Sequence, residues 1–139
     1  MNSPSSSQQG ILNKAVKNGD IEQVKKQISK GANVNKMTPE GNYLIIVASK
    51  DGYTDIVREL IKADADVNER NNEDLTALIV ASKEGYLDIV KELIKAGANT
   101  NVEMDYAYSW ECPKRTALGV AECRGYSQIA KVLKQAGAR

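Results

Sequence analysis

The sequence predicts an all-α solenoid of four helix-turn-helix repeats. Three observations carry that prediction. The first is a period of 33 residues: residues 48–63, ASKDGYTDIVRELIKA, are matched by residues 81–96, ASKEGYLDIVKELIKA. Gly19, Gly52 and Gly85 continue the period, as do Asn35, Asn68 and Asn101, and the fourth copy reappears at Ala121 and Gly125 after a step of 40, which leaves a seven-residue insertion. The second is the pattern inside each unit. A short apolar segment such as Ala77-Leu78-Ile79-Val80-Ala81 ends at a glycine-containing turn, and apolar residues at helical spacing follow, as in Ile89, Val90, Leu93 and Ile94. The third is bulk composition: 139 residues with 42% hydrophobic and 27% charged content suit one packed domain rather than two, or a disordered chain.

In chain order, residues 1–9 form a Ser-rich segment expected to be a disordered tail, and residues 10–139 the single domain, with units at about 10–38, 39–71, 72–104 and 105–139. Gly31, Gly97 and Gly137 follow the second helices, where a left-handed residue ends a helix at low cost; Asp64 replaces that glycine once and is expected to be slightly strained. Inner second helices carry two apolar stripes, Ile56 with Leu60 and Val57 with Ile61. In the first unit the Ile56 stripe becomes Gln23 and Gln27 while Val24 and Ile28 stay apolar. In the fourth, Ile129 and Leu133 stay apolar and the other stripe becomes Ala130 and Lys134. Polar outer faces at both ends are what a finished stack needs, so a monomer is expected.

These residues resemble the ankyrin family, whose repeat reads roughly Gly-x-Thr-Pro-Leu-His-x-Ala-Ala-x-x-Gly-His, then Ile-Val-x-x-Leu-Leu, then Gly-Ala-Asp-Val-Asn. Asp66-Val67-Asn68 and Gly97-Ala98-Asn99-Thr100-Asn101 follow the last element closely. The Thr-Pro-Leu-His stretch departs, as Tyr43-Leu44-Ile45-Ile46, Thr76-Ala77-Leu78-Ile79 and Thr116-Ala117-Leu118-Gly119, and the chain has no histidine. The resemblance implies an ankyrin-repeat solenoid with short β-hairpin fingers between the repeats, in which the lost histidine, a hydrogen-bonding tie between repeats, gives way to apolar packing by Ile46 and Ile79. It also implies a protein-binding module whose concave face meets the partner.

Nothing in the sequence points to catalysis. Phosphate-cradling glycine loops and nucleophile elbows are missing, and without histidine the usual triads cannot be built. Glu103, Asp105 and Glu111 near Cys112 read as solvated loop charges. No enzyme, cofactor or metal is expected. Cys112 and Cys123 are too few for a disulfide framework and lack Cys-x-x-Cys spacing. The net charge is +1. Six basic residues face two acidic ones over residues 1–38, and six face three over 105–139, while both middle units are acidic. That distribution argues against a nucleic-acid track, and no apolar run or leader suggests a membrane or export, so a cytoplasmic protein is expected.

The candidate partner-binding residues are two groups. Lys17, Lys50 and Lys83 recur just before each turn, with Arg124 one place later in the fourth unit, where the ankyrin resemblance implies exposure on the concave face. The insertion holds Tyr106, Tyr108 and Trp110 at alternating positions, followed by Arg115, and aromatics of this kind are enriched in binding hot spots. Against that, the aromatics could cover the last repeat. The reading is a protein-binding module acting through its concave face and fingers, an inhibitor or regulator of a protein partner. An adaptor or substrate-targeting subunit, and a stand-alone scaffold without a native ligand, are the alternatives.

Overall fold

Threonine hydroxyls start two of the helices. Thr76 Oγ1 accepts from the Ile79 amide at 3.3 Å and Thr116 Oγ1 from the Gly119 amide at 3.1 Å, each satisfying a donor that the first helical turn leaves open. The helices so started end on Gly85 and Gly125, at φ of 83° and 77°, and a second helix follows at once. The computed structural model describes residues 4–105 and 112–139, and this helix pair occurs four times among them. The elements are α1 (Pro4–Asn18), α2 (Ile21–Ser29), α3 (Leu44–Asp51), α4 (Thr54–Lys62), α5 (Ala77–Glu84), α6 (Leu87–Lys95), α7 (Ala117–Arg124) and α8 (Ser127–Gln135). The all-α solenoid predicted from the period is thus the observed architecture.

The first helix of each pair packs against the first helix of the next, and the second helices form another layer. Between α3, α5 and α7 the contacts are closer than between their outer counterparts. A stack tighter on one side bends toward it, so the first-helix layer lines the concave face. Leu44, Ile46, Leu78 and Ile79 from the first layer and Ile56, Val57, Leu60, Ile89, Val90 and Leu93 from the second are buried in one continuous cluster. Each such side chain contributes roughly 1.5–3 kcal/mol. Ile46 and Ile79 take the expected place in this core. The hydrogen-bonding tie between units falls instead to asparagines. Asn35 Nδ2 donates to the Asp64 carbonyl at 3.2 Å while its Oδ1 accepts from the Asp66 amide at 2.7 Å. Asn68 does the same with Gly97 and Asn99, and Asn101 with Gly137 and Arg139.

Several expectations change. No β-strand forms among the described residues, so the fingers are turn-closed loops. Thr38 donates to the Asn42 carbonyl at 2.7 Å, Asn71 to Leu75 at 3.0 Å and Met104 to Arg115 at 2.9 Å. The second loop is tightened by Asn71 Oδ1, which accepts from the Glu73 and Leu75 amides, and by Asp74 at φ 62°, leaving no room for a ladder. Asp64 takes the left-handed conformation expected of it, at φ 66°. Helix α1 begins at Pro4, so part of the expected 1–9 tail is helical. Proline suits a first helical position, and Gln9, 7% exposed, bonds both the Asn33 amide (3.0 Å) and carbonyl (2.9 Å). Gln27, expected on a polar outer face, is only 3% exposed. Its Nε2 donates to Gln23 Oε1 at 2.8 Å and its own Oε1 has no partner. A large apolar residue is exposed at that end instead: Ile11, 43% exposed, one period before the buried Leu44.

Candidate functional site

Lys17, Lys50 and Lys83 stand in the last turns of α1, α3 and α5, and Arg124 in the last turn of α7. Equal register in α1, α3 and α5 places the three lysines in one row on the concave layer, and Arg124 continues it on α7 one position out of register. Their surroundings differ. Lys17 Nζ donates to Glu40 Oε1 at 2.9 Å, and that bond is the main reason the Glu40 carboxyl titrates below its ordinary value, helped by backbone and Thr38 hydrogen bonds. Lys50 is exposed, Lys83 is half-buried with its Nζ 4.0 Å from Glu84 Oε1, and Arg124 is exposed. Glu40 is a residue the sequence reading missed, and only the return of the first loop toward α1 brings it there.

Between α1, the 38–42 loop and α3 lies an open groove of about 320 Å³. Its walls include Gly10, Asn13 and Lys14 on one side and Pro39, Leu44 and Val47 on the other. The loop wall is fixed in place, since Asn72 donates to the Gly41 carbonyl at 3.0 Å and Asn71 Nδ2 to Asn42 Oδ1 at 3.1 Å. At Tyr43, the residue leading into α3, burial and then the nearby Glu69 raise the phenol pKa.

Tyr106, Tyr108 and Trp110 lie outside the described residues. Both flanks of their segment are anchored. On one side the Arg70 guanidinium donates to the Glu103 carbonyl at 2.6 Å and pairs with the Asp74 carboxylate. That carboxylate also accepts from the Asp105 amide at 2.8 Å, and Met104 is buried. On the other side residues 112–116 run back along α7. Lys114 Nζ reaches Glu122 Oε1 at 3.3 Å, and Cys112 is disulfide-bonded to Cys123 with Cα atoms 5.9 Å apart. This corrects the reading that set the two cysteines aside. Their pairing depends on the antiparallel path of this segment beside α7, not on any spacing motif. Arg115 is exposed, and its carbonyl closes the base of the insertion.

The described residues include no group of three or more His, Cys, Asp or Glu placed to hold a metal ion, and no helix long and apolar enough to cross a membrane.

A family profile described as "Ankyrin repeats (3 copies)" matches residues 12–104, more than half of the chain. The chain belongs to the ankyrin-repeat family. No curated protein matches it. Ankyrin repeats are in general modules of protein–protein interaction, typically without enzymatic activity. The match ends at Met104, where the insertion begins, and the fourth ankyrin unit is identified by its helices: α7 and α8 have the same lengths as α5 and α6, a similar cap at Thr116 and a left-handed Gly125.

Proposed function

We propose that this ankyrin stack binds a protein partner on its concave face and at the insertion of its fourth unit, and that it inhibits or regulates that partner. The observation that carries the reading is the row of Lys17, Lys50, Lys83 and Arg124, one cation per unit on the inward-curving layer, beside an open groove. Tyr106, Tyr108 and Trp110, with Arg115, add an aromatic contact on the strength of their sequence pattern. The module acts as a monomer. It contacts neither nucleic acid nor membrane, because Glu40 and Glu84 interrupt the cation row that a phosphate backbone would require. It works in the cytoplasm, where the Cys112–Cys123 bond would form and break with the local thiol balance.

The test is affinity capture on three baits: the intact chain, a Lys50→Glu/Lys83→Glu variant, and a chain lacking residues 103–113. A protein held by the first and lost from the other two supports the reading. Equal retention on all three would sink it. Two proteins captured together, each lost with a different bait, would favour an adaptor.

A further inference from the structure

We propose that the groove between α1, the 38–42 loop and α3 is an anchor pocket for a large apolar side chain of a partner segment carrying a carboxylate beside it, and that Gly10 keeps the pocket open. The inference rests on the concave-face reading and names what one part of that face takes.

Gly10 is the starting point. It lies within α1, where glycine weakens a helix relative to alanine. Its backbone is not in the left-handed region, and a β-carbon built on it would meet nothing within 4 Å. Neither chain geometry nor close packing therefore requires a glycine there. Its missing side chain instead leaves space in the groove it lines, whose volume of about 320 Å³ falls in the range that holds small ligands and anchoring side chains.

The lining sets the chemistry. The half-buried Val47 and the exposed Pro39 present the accessible apolar wall, with the buried Leu44 (1% exposed) forming the floor beneath them. At the rim, Lys17 and Glu40 neutralise each other at 2.9 Å. Lys14 is exposed and has no ion-pair or hydrogen-bond partner among the described residues. One unneutralised ammonium over an apolar wall is complementary to an apolar side chain with a neighbouring carboxylate, and the basic excess over residues 1–38 has the same sign.

The test selects phage-displayed random heptapeptides on the intact chain, then measures the best binder by fluorescence polarisation against Gly10→Leu, Lys14→Glu and Lys83→Glu. Gly10→Leu fills the groove with a better helix former, so its melting temperature should hold or rise. The expected result is a selected pattern of a large apolar residue beside Asp or Glu. Affinity should fall tenfold or more in Gly10→Leu and also fall in Lys14→Glu, with amide shifts at Gly10, Asn13 and Val47 on binding. Binding that ignores Gly10→Leu but is lost in Lys83→Glu would overturn the anchor pocket while leaving the concave face standing. Amide shifts confined to α2, α4, α6 and α8 would overturn both. An unenriched pool, or one without acidic residues, counts against the pocket.

Discussion

Tyr53, Tyr86 and Tyr126 each lay a ring over the turn glycine of the preceding unit, so close that a β-carbon at Gly19, Gly52 or Gly85 would stand 2.8–2.9 Å from a ring atom. Gly125 has the same positive φ, 77° against 76° at Gly52, but nothing within 4 Å. Alanine at either site carries a left-handed penalty of about 1–2 kcal/mol. Only Gly52→Ala must also displace a ring, so urea melts should show it to be the more costly by about 1 kcal/mol or more; equal costs would mean the ring contact contributes nothing. Gln27 occupies the register of Leu60, Leu93 and Leu133 with a buried, unpaired Oε1. Gln27→Leu should therefore stabilise the fold by about 1 kcal/mol, whereas Leu60→Ala should cost about 2–5 kcal/mol; a destabilising Gln27→Leu would contradict the registration. Glu40 supplies a pH signature. Its folded pKa lies below the usual 4.5, so the Lys17 bond is stabilising above that value and is lost as pH falls through the lower folded one. Removing the partner with Lys17→Ala should raise the Glu40 side-chain carboxyl midpoint in an NMR titration, and an unmoved midpoint would show that the hydrogen bond does not govern it.

At the scale of elements, the segment after the insertion is held to α7 by a bond joining residues 11 apart. Closing so short a loop restricts the unfolded chain by no more than about 3 kcal/mol. Reduction with a dithiol should lower the melting temperature of the oxidised protein, and an alkylating reagent should then label the exposed Cys123 before Cys112, which is 4% exposed. An unchanged melt, or Cys112 labelled first, would contradict this arrangement. The helix pairs were legible because apolar residues repeat at helical spacing and end at turn glycines, as in α5 and α6. The disulfide was not, because the approach of Cys112 to Cys123 is fixed by how an irregular segment lies on a helix. Nor was the start of α1: Pro4-Ser5-Ser6-Ser7 has a tail's composition, and what holds the helix is Gln9, bonded to a backbone 24 residues away. The fingers were over-read as hairpins because their closure depends on Asn71 and Asp74 as turn formers more than on strand pairing.

For the whole molecule, the period and the two apolar stripes were enough to give four units in one curved stack, and the curvature follows from the tighter packing of α3, α5 and α7. The candidate site was legible only as a row of cations. The Lys17–Glu40 pair and the groove beside it emerge when the first loop folds back on α1. The central claim is that a partner sits on the concave layer. The most direct measurement places a photo-crosslinking amino acid at Lys50, on that layer, or at Lys62, exposed at the end of the outer helix α4, in cells that express the chain. The account predicts a discrete protein adduct from position 50 and none from position 62; an adduct from 62 with none from 50 would place the partner on the outer layer and contradict it.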